Sequence, residues 1–157
     1  LNISQGFNFM KGNKMNMRVI LAAAILASSA LTIAAQGAEP LAFQGVMKDL
    51  GKHTQTIAGA IADEDWELVE RTAALVAAHP QPPATEKVRI ISFIGSEMGR
   101  FKAFDMQTHE AAHEMEHAAH AKDGVKVIAA LQKMQTACLG CHQAFRKPFV
   151  AHFYGKQ

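Results

Sequence analysis

Only two cysteines occur among the 157 residues, Cys138 and Cys141, and no second pair exists. That absence removes the usual closed zinc site, which needs four ligands and normally a second cysteine or histidine pair. The alternation of apolar and polar residues that marks strands is also missing, as are internal repeats and low-complexity tracts after the leading segment. No nucleophile–base–acid triad, carboxylate pair or glycine-rich phosphate loop stands out, so the chain does not read as an enzyme. A surplus of one charge is lacking as well. The formal net charge is +2, and the basic excess sits in Lys11, Lys14 and Arg18. Without those three, 13 basic residues face 14 acidic ones, a balance of −1. Such a balance argues against nucleic acid or an anionic membrane as partner.

The one long apolar run lies early in the chain. Val19 to Ile33 follows the basic lead and gives way to small residues in "AAQGAEP", the three-part pattern of a secretory signal peptide. The run is shorter than the ~20 residues a membrane-crossing helix needs. Residues 1–37 are therefore expected to be a leader and cleaved signal peptide, with Ala35 and Gly37 at the recognition positions and Ala38 as a rival cleavage point. Met10, Met15 and Met17 are plausible start codons. Residues 38–157 then form a single exported domain, periplasmic and without a membrane span, long enough to bury a real core.

The rest of the chain reads as helices. The first runs from Pro40, well placed at a helix start, to Ile61, with Phe43, Met47, Leu50, Thr54, Ala58 and Ile61 on one face. The second opens at "DEDWELVE", where Asp63 or Asp65 can cap it, and ends before "HPQPPA", whose prolines enforce an extended linker. "TEKVRIISFI" reads either as an extra helix or as the first leg of the third, which spans Ser96 to Ala121. "AKDG" breaks the chain, and the fourth helix runs from Gly124 or Val125 to Lys147, with Pro148 limiting it. Four amphipathic helices joined by unequal connections predict an all-α, antiparallel four-helix bundle.

"CLGCH", residues 138–142, carries the chemistry. On a helix, Cys138, Cys141 and His142 stand at i, i+3 and i+4 and project from one face. A redox dithiol would more naturally sit at a strand-to-helix junction, and a disulfide has no use for the histidine. Covalent attachment of haem c uses every element: two thiols for the two vinyl groups, and an adjacent imidazole for the iron.

With that motif on the last helix of an exported four-helix chain, "QTACLGCHQAFRKPF" resembles the class II cytochromes c, the cytochrome c-prime family. The resemblance spans the mature chain and is strongest from Phe101 to Lys147. It implies a four-helix bundle holding one haem c, with Cys138 and Cys141 in thioether bonds and His142 on the iron. It also implies a cation four residues after that histidine, here Arg146, beside the haem edge. Members divide by what the first helix presents to the other iron face, and the matching residue in "FQGVMKDLGKH" is Met47. Gly51 one turn on is small enough for a porphyrin to approach. Phe43 stands where members often carry an arginine for a haem propionate. A methionine ligand implies a six-coordinate, one-electron carrier serving periplasmic redox partner proteins. The alternative is a five-coordinate member that binds nitric oxide or carbon monoxide, with Met47 only lining the pocket. Members often dimerise through their first two helices, so the resemblance leaves a homodimer open.

"THEAAHEMEHAAHAK" places His109, His113, His117 and His120 on one face of the third helix, roughly 100° from its apolar face. Such a stripe is expected at the surface or beside a neighbouring helix, most simply as a solvated, pH-sensitive face. The alternative is a periplasmic metal-binding protein in which these histidines, with Glu110 and Glu114, chelate zinc, copper or nickel.

Overall fold

The computed structural model describes residues 41–155; the expected leader and signal peptide lie outside them. All regular elements among these residues are helical: α1 (Ala42–Ala62), α2 (Trp66–Ala77), α3 (Ala84–Ile94), a 3-10 turn (Gly95–Glu97), α4 (Met98–His120), α5 (Gly124–Cys141), a π turn (His142–Arg146) and α6 (Lys147–Phe153). The all-α class expected from the sequence holds. No helix among the described residues is long and apolar enough to cross a membrane.

Local chemistry sets the ends of these helices. Asp65 caps α2 by accepting from the Leu68 N–H at 3.0 Å, and Asp123 caps α5 through the Lys126 N–H at 3.1 Å; each satisfies a donor with no partner inside its helix. The first N–H groups of α1, on Ala42 and Phe43, reach the Glu86 carboxylate of α3 instead. "TEKVRIISFI" is a helix in its own right. It stops at Gly95, whose φ of 56° and ψ of −126° suit a residue without a Cβ.

The C-terminal helix departs from expectation, because it does not end at Lys147. After Cys141 it widens into the π turn and continues to Phe153, with Pro148 in the first turn of α6. Proline is tolerated there because first-turn N–H groups need no intrahelical acceptor. Phe145, Phe149 and Phe153 are all buried at a spacing of four, which puts them on one face of the stretch.

Neighbouring helices run antiparallel, as their side-chain contacts record. Glu70 of α2 meets His120 near the end of α4, while the Ala77 carbonyl meets His109. Glu114 of α4 meets Lys133 of α5, and Phe104 lies against Gly140. The core has two parts. The larger joins Ile57, Val69, Val76, Met115, Val127 and Met134 from α1, α2, α4 and α5, each worth about 1.5–3 kcal/mol on burial. The second is a phenylalanine-rich cluster at one end, where Leu41, Ile90, Ile94, Phe145, Phe149 and Phe153 meet Phe43, Phe93, Phe101 and Phe104.

Candidate functional site

Residues 138–142 lie where α5 passes into the π turn, a wide turn often found at functional positions in helices. Cys138 is half-buried against the larger core and Cys141 against the phenylalanine cluster. Neither thiol is bonded to another. Burial pushes the Cys138 thiol above its ordinary pKa, with the Thr108 hydroxyl pulling partly the other way. Burial also pushes Cys141 up, to about 11, with the nearby Cys138 and Asp105 adding to the effect. Both groups therefore remain protonated at neutral pH. A reactive redox dithiol needs the opposite, a thiol held low enough to ionise.

The two sides of this segment differ. On one, the Phe104 ring comes so close that a Cβ on Gly140 would lie 2.6 Å from its Cε1 atom, so α4 is in backbone contact. His142, two residues on and about 160° around the helix, is exposed. It shares its side with Cys138 and the half-buried Leu131, and next to them Ile128 and Leu139 expose 51% and 57% of their surface. That leaves an uncovered apolar strip beside a thiol and an imidazole, continuing into a shallow groove past Gln135 and Thr136.

Met47 is half-buried on α1. One turn before it, Phe43 packs on Phe149 at 5.5 Å between ring centres and on Phe101 at 6.4 Å. Phe43 thus occupies an aromatic contact and offers no charge to a propionate. None of the hydrogen bonds or ring contacts among the described residues joins Met47 to His142. Arg146 is exposed at the end of the π turn, one turn beyond His142. Two cations do meet aromatic faces of this cluster, neither revealed by the motif: Arg100, 5.8 Å from the Phe104 ring centre and 5.9 Å from that of Phe145, and Arg89, 5.5 Å from that of Phe153.

Three histidines of the stripe, His113, His117 and His120, are exposed, and His109 is half-buried. His113 pairs with Glu116 and His120 with Glu70, both histidines exposed. His109 turns inward, stacking on His79 with ring centres 4.6 Å apart. Asp105 lies between them, 3.4 Å from His79 Nε2 and 3.6 Å from His109 Nε2. The sequence did not mark His79, which sits in the proline-rich linker; only the antiparallel packing of α2 on α4 brings it to Asp105. Compared with known protein families and with curated proteins, the chain matches none.

Proposed function

We propose that this chain is a periplasmic one-electron carrier resembling the class II cytochromes c, with a haem c bonded to Cys138 and Cys141 and its iron held by His142 and Met47. The carrying observation is the pair of free, half-buried thiols on α5 with an exposed imidazole beside them and an uncovered apolar strip along the same side. Cys138 and Cys141 would anchor the group, each in apolar surroundings that keep water from the bond. His142 would turn toward the iron without breaking helical packing, because the π turn leaves it outside the core. Met47 would supply a sulfur from α1, and the exposed Gly51 one turn on offers no side chain to obstruct the group. Bound iron with one imidazole and one thioether supplies a reversible electron at a raised potential and a filled coordination shell.

The phenylalanine cluster supports the same reading. It holds Cys141 from one side and joins α1 to the C-terminal stretch through Phe43 and Phe149, so the segments bearing Met47 and His142 are tied together by apolar packing. A four-helix bundle of the cytochrome c-prime kind would use those ties to close α1 and α5 around the group. Partners would be periplasmic redox proteins, and a homodimer through α1 and α2 would follow the family habit. Acid–acetone extraction followed by mass measurement tests the attachment. The expected result is haem mass retained on the polypeptide; haem released into the solvent refutes it.

A further inference from the structure

We infer that His79, Asp105 and His109 form a binding site for a divalent transition-metal cation of the zinc class, separate from the cysteine motif. The three residues offer two imidazole nitrogens and a carboxylate oxygen, all within 4.8 Å of one another. Their tautomers follow from the backbone. His79 Nδ1 faces the Pro80 carbonyl at 3.3 Å and His109 Nδ1 faces the Ala77 carbonyl. A carbonyl only accepts, so both Nδ1 atoms carry the hydrogen and both Nε2 atoms present lone pairs.

Those two lone pairs converge on the Asp105 carboxylate, itself an acceptor. With both rings neutral, three acceptors facing one another repel until a proton or a metal cation sits among them, and the Asp105 carboxylate, which raises the His79 pKa, draws that positive charge in. An imidazole that fixes its second N–H on a backbone carbonyl is also the usual outer arrangement of a metal-bound histidine. The spacing fits. Tetrahedral zinc with bonds of about 2.0–2.2 Å holds its ligand atoms roughly 3.4 Å apart; His79 Nε2 lies 3.4 Å from Asp105 Oδ1 and His109 Nε2 lies 3.6 Å from Oδ2, so each oxygen faces one nitrogen at about that separation. The imidazole pair selects zinc, copper or nickel over calcium and magnesium, which take oxygen ligands.

Burial is graded in the way such a site requires. The His79 side chain is 6% exposed and that of His109 27%, while Asp105 keeps 44%. Two ligands are thus held by packing, and the remaining coordination position opens to water on the carboxylate side. An ion here would clamp the proline-rich linker after α2 onto α4, a joint otherwise made by ring stacking, the contact of His79 with Asp105 and the hydrogen bond between His109 and the Ala77 carbonyl. His113 and His120 have carboxylate partners elsewhere and take no part.

Calorimetric titration of the purified chain with zinc chloride at neutral pH tests the site. One equivalent at micromolar affinity or tighter is expected. Asp105→Asn, nearly the same shape, and His79→Ala should each weaken it beyond the roughly 10–100-fold that losing an outer-shell partner costs. His113→Ala with His120→Ala should leave it unchanged. No binding by the wild type, or binding lost with His113 and His120 instead, overturns the proposal. Zinc-edge X-ray absorption on the wild type gives a reading that no variant's folding can confuse. Nitrogen and oxygen neighbours at about 2.0–2.2 Å support the site, and sulfur neighbours at about 2.3 Å overturn it by assigning the ion to the cysteines.

Discussion

Gly140 stands inside the cysteine motif, and replacing it with alanine sets two effects of known size against each other. In a helix interior, alanine is favoured over glycine by about 0.8–1.0 kcal/mol. Against that, the new Cβ would lie 2.6 Å from Phe104 Cε1 and 3.1 Å from its Cζ, well inside van der Waals contact. The ring is not free to swing away. Its neighbours are Phe145, with ring centres 6.5 Å apart, and the Arg100 guanidinium over its face. Overpacking of this kind costs about 1–3 kcal/mol. The balance favours glycine by about 1 kcal/mol, which for a domain of this size lowers Tm by roughly 4 °C. Gly59, exposed on α1 with nothing within 4 Å of its Cβ position, is the matched control and should gain about 0.5–1 kcal/mol as alanine. Thermal unfolding followed by circular dichroism reads both. Adding Phe104→Ala should remove most of the Gly140→Ala penalty, the non-additivity expected of residues in contact. If Gly140→Ala is as stabilising as Gly59→Ala, α5 does not approach α4 through this glycine and the reasoning fails.

Asp65→Ala should cost about 0.5–2 kcal/mol in urea denaturation, because the Leu68 N–H loses its acceptor; an unchanged midpoint would show that water replaces the cap without loss. Met115 is fully buried and Met106 is 58% exposed, so Met115→Ala should cost about 2–5 kcal/mol and Met106→Ala within about 0.5 kcal/mol. Equal losses would mean α4 is rotated from the orientation described. Changing Cys138 and Cys141 together to alanine should abolish haem retention on a denaturing gel stained for peroxidase activity, and a retained stain would place the attachment elsewhere.

Much of the fold was legible because apolar spacing and capping are local signals. Asp65, one of the two caps the sequence offered, and the break at "AKDG" could be read from neighbouring residues. The C-terminal helix was less legible, since Pro148 ends a regular α-helix but not one that has just widened into a π turn. The four-residue spacing of Phe145, Phe149 and Phe153 was the available clue that the helical apolar face continues past Pro148. For the candidate site, the cysteine–histidine spacing is written in five residues. The surroundings of those residues depend on contacts across the fold. Phe104 against Gly140, Arg100 over the aromatic rings, and His79 beside Asp105 and His109 all join segments far apart in the chain. Within the histidine stripe, His113, His117 and His120 are exposed as expected, and the partner to which His109 turns lies on a different element for the same reason.

The most direct test of the proposed carrier is the optical spectrum of the purified protein, oxidised and reduced, compared with that of Met47→Leu. With Met47 sulfur and His142 nitrogen both on the iron, the ferric protein is expected to be low-spin, with the weak long-wavelength band of sulfur ligation. Met47→Leu should then convert it to a high-spin form that takes up carbon monoxide faster and has a lower reduction potential. A wild-type spectrum already high-spin at neutral pH, and unchanged by the substitution, would contradict Met47 ligation and make gas binding the better reading. A spectrum with no haem bands at all would contradict the proposal as a whole.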